Sequence, residues 1–131
     1  LGTAASGTTG DIRATADITA YYSSDETLKE NVVEIENALD KVNKIRGVEF
    51  DWTPNYINEK GGEDGYFVRR HDVGVIAQEV EAVLPEVVGT REDGIKAVRY
   101  DRIVALLIEA IKEQQTQIEE LKDLVIKSKD K

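Results

Sequence analysis

The apolar residues of this chain change their spacing along its length, and each change predicts an element. From Glu34 to Ile45 the positions Ile35, Ala38, Leu39, Val42 and Ile45 follow steps of three and four, which predicts a helix with Gly47 as its stop. GVEFDW then alternates Val48, Phe50 and Trp52 and predicts a strand ended by Pro54. Residues 54–70 carry Gly-rich loop signals, with EKGGEDG as an exposed hairpin tip. VGVIAQEVEAVL reads as a short strand over 73–76 that becomes an amphipathic helix through Val80, Val83 and Leu84, closed by Pro85. EVVGT and IKAVRYD read as two strands around the turn REDG.

Everything from Arg102 onward predicts one long helix. Within it Val104, Leu107, Ile111, Gln114, Ile118, Leu121 and Val125 repeat as a heptad seam, with Val104, Ile111, Ile118 and Val125 at one core position and Leu107, Gln114 and Leu121 at the other. Up to Ala110 the extra apolar residues Ile103, Leu106 and Ile108 suit packing on the chain's own globular part. Beyond Glu113 only the narrow seam continues, so we expect it to self-associate. β-branched residues at one position and Leu at the other lean towards a parallel dimer, a rule that Gln114 and the short seam weaken.

The first 22 residues differ from the rest. They are small, Gly/Thr/Ala-rich and almost uncharged, with an alternation of Ile12, Ala14, Ala16, Ile18 and Ala20, like the end of a repetitive β structure. The expected organisation is a tail of an upstream domain at 1–22, an α+β head of short strands and helices at 23–101, and the oligomerisation helix at 102–131. No signal or transit peptide is visible, and the opening Leu suggests a piece of a longer polypeptide.

Composition narrows the chemistry. At 131 residues and 40% hydrophobic, without a long apolar run, the chain reads as one soluble domain rather than a disordered or membrane-spanning one. It has no cysteine, which removes disulfides, zinc-thiolate sites and thiol nucleophiles together. The formal net charge of −9 would repel a phosphate backbone, so nucleic acid is not expected as a partner. GGEDG lacks the Lys-Ser/Thr of a phosphate loop, and the acids show no spacing for metal binding or glycosidase work, so neither cofactor nor metal is expected. The single histidine, His71, beside Asp72, reads as a surface or structural residue.

That leaves AYYSSDETLKEN, where Ser24 precedes Lys29 by five residues. A serine hydroxyl needs a base to become a nucleophile, and a lysine is a base only when neutral, which burial or nearby positive charge can bring about. On spacing alone the simpler reading is a helix start, with Ser23 and Glu26 as a capping box and Lys29 an exposed helical side chain. On a regular helix, residues five apart lie roughly 140° from each other. Catalysis would therefore need 24–29 to be a turn, or the lysine to come from another chain.

SSDETLKENV, GVIAQEVEAVLPEVV and KAVRYDRIVALLIEAIKEQQTQIEEL, in this order and spacing over about residues 23–125, resemble the C-terminal intramolecular chaperone and auto-processing domain of phage endosialidases, tail fibres and tail spikes. The same domain type occurs in the myelin regulatory factor. The resemblance implies a homotrimer, with the long helix as a trimeric coiled coil, whose folding client is the upstream fibre segment of the same polypeptide. It implies action in the host cytoplasm during phage assembly, with the upstream product kept in the virion tail and the released domain absent from it. It implies self-release by a serine-lysine dyad, the motif's serine falling on Ser24 and its lysine on Lys29. Asp25 matches the motif's aspartate as a supporting residue without an assigned role. Thr27 stands where the family commonly has a basic residue, a surface-type change expected to leave the chemistry alone.

Attack by Ser24 on the Ser23 carbonyl passes through a five-membered ring, whereas attack on its own carbonyl needs four members. Cleavage is therefore expected at Ser23–Ser24, with Ser24–Asp25 as the alternative. Backbone N–H groups near the turn are the expected oxyanion donors. The competing readings are a trimerisation and chaperone module that does not cut, and a coiled-coil adaptor with an unrelated small head.

Overall fold

The computed structural model describes residues 10–130; the first nine residues of the lead lie outside them. In chain order there is a one-turn 3₁₀ segment at Glu26–Leu28, then α1 (Ala38–Val42), β1 (Val48–Asp51), α2 (Pro54–Glu59), β2 (His71–Gly74) and α3 (Ala77–Val83). A 3₁₀ turn at Pro85–Val87 leads to β3 (Val88–Thr90) and β4 (Lys96–Val98), and another at Tyr100–Arg102 leads to α4 (Ile103–Lys129). The class is α+β with a long C-terminal helix, as the spacing predicts. No helix among the described residues is long and apolar enough to cross a membrane.

The chain divides into two units, one of residues up to 32 with Glu49–Gly74, the other of Val33–Val48 with everything from Val75 onward. In the second unit α1 packs on the first half of α4. Leu106 and Ala110, one helical turn apart, close over Ala38, and Ile35, Leu39, Val42, Ile45 and Leu84 surround the contact. Leu106 and Ala38 are fully buried, and burying a leucine contributes roughly 2 kcal/mol.

α1 is shorter than the periodicity over 34–45 predicts. Asn37 sits in the left-handed region at φ 54°, which stops the helix from starting earlier. Asn37 makes no side-chain cap. Instead Glu113 of α4 accepts from the N–H groups of Ala38 at 2.8 Å and Leu39 at 3.0 Å. Ile35 and Ile45 lie outside the helix but still pack on the core, so the apolar spacing reported burial more faithfully than helix length.

α3 packs against the β3–β4 ribbon. The ribbon is antiparallel with Val88 opposite Val98 and Thr90 opposite Lys96, and REDG makes its turn with Gly94 at φ 85°. The arginine following α1 is tied to α3: Glu79 accepts from the Arg46 N–H and, at 3.0 and 2.6 Å, from its guanidinium.

In the first unit β1 pairs with β2. The strand expected at 73–76 is formed two residues earlier, and Ile76 serves as the N-cap position of α3. The loop expected over 54–70 contains α2, which begins with Thr53 accepting from the Tyr56 N–H and Pro54 in the first turn. Trp52 stacks on Tyr56 at 4.4 Å and donates to Asp72. EKGGEDG lies in the long connection between the paired strands β1 and β2, not in a tight turn. Its first residue ends α2, and Asp64 Oδ1 gathers the N–H groups of Tyr66 and Val68, both at 2.8 Å. Residues 10–22 form no strand, despite their alternation. They meet the unit through Asp11 with Lys60 at 3.0 Å and through the Thr15 carbonyl, which accepts from the Tyr66 hydroxyl.

Candidate active site

Ser24 and Lys29 are joined by a turn rather than a helix. Asp25 is extended at φ −62°, ψ 137°, the 3₁₀ turn occupies Glu26–Leu28, and Lys29 is extended again at φ −121°, ψ 145°. The turn closes through the Leu28 N–H on the Asp25 carbonyl and the Lys29 N–H on the Glu26 carbonyl, each at 3.1 Å. With extended residues on both sides of a single 3₁₀ turn, residues 24–29 do not form one regular helix. Lys29 Nζ donates to Ser24 Oγ at 2.7 Å. The separation that a regular helix would impose is thus removed within one chain.

The expected capping box is not formed. Asp25, not Ser23, caps the turn: its Oδ1 accepts from the Thr27 N–H at 2.8 Å and from the Thr27 hydroxyl at 2.6 Å. These two bonds to Thr27, hydroxyl first, hold the Asp25 carboxyl below the usual carboxylate range. Asp two residues before Thr is the sequence signal of such a side-chain turn, and it competes with the helix-start reading of the same letters.

Every residue from 14 to 34 is exposed in the single chain, Ser23, Ser24 and Lys29 included. A cavity of about 600 Å³ in the same unit is lined by Arg13, Trp52, Tyr56, Lys60 and Phe67 among others, and neither Ser24 nor Lys29 lines it. A dyad acting on its own backbone needs no such cavity, since the peptide bond is already attached. His71 lies on β2 with Nδ1 2.9 Å from Asp51 and Nε2 3.4 Å from Glu49, which raises its pKa, Asp51 more than Glu49. These are structural partners on the β1–β2 pair.

The expected seam lies on α4 about a quarter turn round from Leu106 and Ala110. Val104, Leu107, Ile111, Ile118, Leu121 and Val125 are 43–64% exposed, and Gln114 between them is exposed too. The helix therefore has one face occupied by its own chain and another uncovered over five turns.

Comparison with known proteins places the chain in a family. The chain is 40% identical over 119 residues to the long tail fiber protein Gp37 of Enterobacteria phage K3, covering 86% of this chain and 9% of that protein. The Gp37 proteins of Enterobacteria phage T2 and Salmonella phage S16 are also 40% identical, covering 86% and 79% of this chain and 8% and 14% of theirs. The chain thus spans about a tenth of the length of these relatives. Residues 24–89, half of the chain and opening on Ser24 itself, match the family described as chaperone of endosialidase, and the chain belongs to that family.

Proposed function

We propose that this chain is an intramolecular chaperone of a phage tail fibre that trimerises through α4 and then releases itself by autoproteolysis, with Ser24 as nucleophile and Lys29 as base. The observation that carries the reading is the 2.7 Å contact between Lys29 Nζ and Ser24 Oγ. Supporting it are the family match that opens at Ser24 and the likeness to long tail fibre proteins. The client is the fibre segment upstream in the same polypeptide, of which residues 1–22 are the last part. Assembly takes place in the host cytoplasm, after which the fibre stays in the virion tail and the domain departs.

The reaction proceeds with Lys29 as the neutral amine, when the hydroxyl donates and the nitrogen accepts across the same 2.7 Å. As the proton moves to Nζ, Oγ adds to the Ser23 carbonyl carbon through a five-membered ring. The Ser24 nitrogen leaves with the proton returned by the lysine. The product is a Ser23–Oγ ester and a free Ser24 amine. One water then adds to the ester, giving a Ser23 carboxylate and restoring the Ser24 hydroxyl. Nothing is consumed but that water.

A base must shed its proton, and Lys29 is exposed in the single chain. Packing of further chains over 14–34 would desolvate it and so favour the neutral form. Cleavage then follows assembly, and a fibre that has lost its chaperone cannot easily retrace its folding path.

The dyad is tested with Ser24→Ala and Lys29→Ala in the full chain, followed by denaturing gel and intact mass. Both variants should stay whole while the parent yields fragments 1–23 and 24–131. Cleavage of either variant at the parental rate would sink the assignment, and an intact parent would favour a chaperone that does not cut.

A further inference from the structure

A single 3₁₀ turn has little to hold it. It closes on two backbone bonds, those of Leu28 and Lys29, and none of its residues is buried. Short exposed turns of this kind are marginal in water, because fixing each residue costs more than one bond to the backbone returns. Yet the Ser24–Lys29 contact exists only while the turn is closed with extended residues at both ends. The side-chain lock on it is Asp25, whose Oδ1 takes both the N–H and the hydroxyl of Thr27. A charged oxygen receiving two donors makes the stronger class of hydrogen bond. Both bonds go to Thr27, the middle residue of the turn, so the carboxylate acts on the dyad through the backbone between them.

We propose that Asp25 and Thr27 form the positioning pair of the dyad: their double bond at Oδ1 sets the turn that delivers the Lys29 amine to the Ser24 hydroxyl. The inference rests on the autoproteolytic reading above and adds to it two residues with distinct parts. Asp25 supplies the acceptor. The Thr27 hydroxyl supplies the second donor, so the exposed side chain at position 27 bears on the rate, against the expectation that a change at this surface position leaves the chemistry alone. Thr27→Val, nearly the same shape, removes the hydroxyl and keeps the N–H. Thr27→Ser keeps both, and Asp25→Asn keeps an oxygen acceptor without the charge.

The test follows newly made full-length chains after a pulse of cell-free translation, timing the appearance of fragment 24–131 on denaturing gels. Asp25→Ala should slow cleavage about a hundredfold, the scale of a misplacement by about 1 Å. Thr27→Val should slow it about tenfold, the effect of one lost hydrogen bond of ordinary strength. Thr27→Ser should recover most of the parental rate, and Asp25→Asn should fall between parent and Asp25→Ala. Hydroxylamine, which cleaves esters, should not rescue the slow variants, because the delayed step is formation of the ester.

Parental cleavage in Asp25→Ala or Thr27→Val overturns the inference, as does rescue of either by hydroxylamine. Melting temperature and solution mass, measured in a Ser24→Ala background, show whether each variant folds. If Asp25→Ala does not, the Thr27→Val and Thr27→Ser pair decides, and equal rates for those two overturn the inference. Failure of the dyad itself looks different: a parent that stays whole, or a Ser24→Ala chain cut at the same bond.

Discussion

The Ser24–Lys29 turn and the α1–α4 contact are ordered by different forces. In the turn, every bond spans at most five residues, is polar and lies in water. In the contact, residues more than sixty positions apart shut Leu106, Ala110 and Ala38 away from solvent. Local polar bonds can set a geometry but cannot dry it, and desolvation is one of the two ways a lysine base comes to stand neutral. The buried core holds the chain's own elements together but carries no reacting group. The two regions are therefore complementary, and what connects them on the proposed function is the uncovered face of α4. On that proposal the face would recruit other chains, and their packing over residues 14–34 would change the surroundings of the turn.

The sharpest way to break this division is to remove the seam and leave everything else. Ile118→Asp with Leu121→Asp places two charges on the face that is uncovered in the single chain. Neither residue contributes to the α1–α4 contact. Sedimentation should show monomer in place of trimer, and self-cleavage should be lost with it. Monomers that process as fast as the parent would end the idea that assembly gates the cut, while leaving the dyad standing.

A smaller effect, confined to the other region, is expected of Leu106→Ala. The side chain is fully buried, and its truncation leaves a cavity worth about 2–5 kcal/mol. Denaturant unfolding should register the loss in the midpoint. Cleavage per folded chain should hardly change at a temperature where the variant remains native, since the bonds of the turn are all local. A loss of cleavage without unfolding would mean that the core shapes the site directly.

The same division explains what could be read from the amino acids. Elements whose structure is decided by apolar spacing were legible: α4, α3, β1 and the β3–β4 ribbon lie close to where the pattern puts them. So was the exposed seam, because a narrow stripe of heptads has no use inside a small head. Polar punctuation was harder. Thr53-Pro54 starts α2, but the glycines that follow dominate the reading of that stretch. Asn37 in the left-handed region shortens α1 by a conformational preference that apolar periodicity does not register, and the acceptor that replaces its cap, Glu113, is 75 residues beyond Ala38. In SSDETLKEN the letters allow both a capping box and an Asp-Thr turn. They differ by which side chain reaches which N–H, and only the turn lets Lys29 reach Ser24.

The smallest effect expected is also the one that separates the turn from the core while leaving the Asp25–Thr27 bonds and the core residues unaltered. Asp25 in the folded chain titrates below its ordinary value because Thr27 donates to the charged form twice. Its contribution to the turn is thus fully present above the ordinary aspartate range, near 3.9, and is lost as pH falls through the lowered folded value. The rate of cleavage is a poor monitor of this, because any lysine base is already protonated in acid. A structural readout serves better: the Thr27 amide resonance of a Ser24→Ala chain, followed as pH is lowered, alongside the Leu106 methyl resonances. The amide should move with a midpoint under the ordinary aspartate value, while the methyls, surrounded by apolar neighbours, stay where they are until the molecule unfolds. An amide that moves at or above the ordinary value would mean that the carboxylate is not gripped by Thr27. The turn would then owe its shape to backbone bonds alone, and the polar half of the comparison would lose its lock.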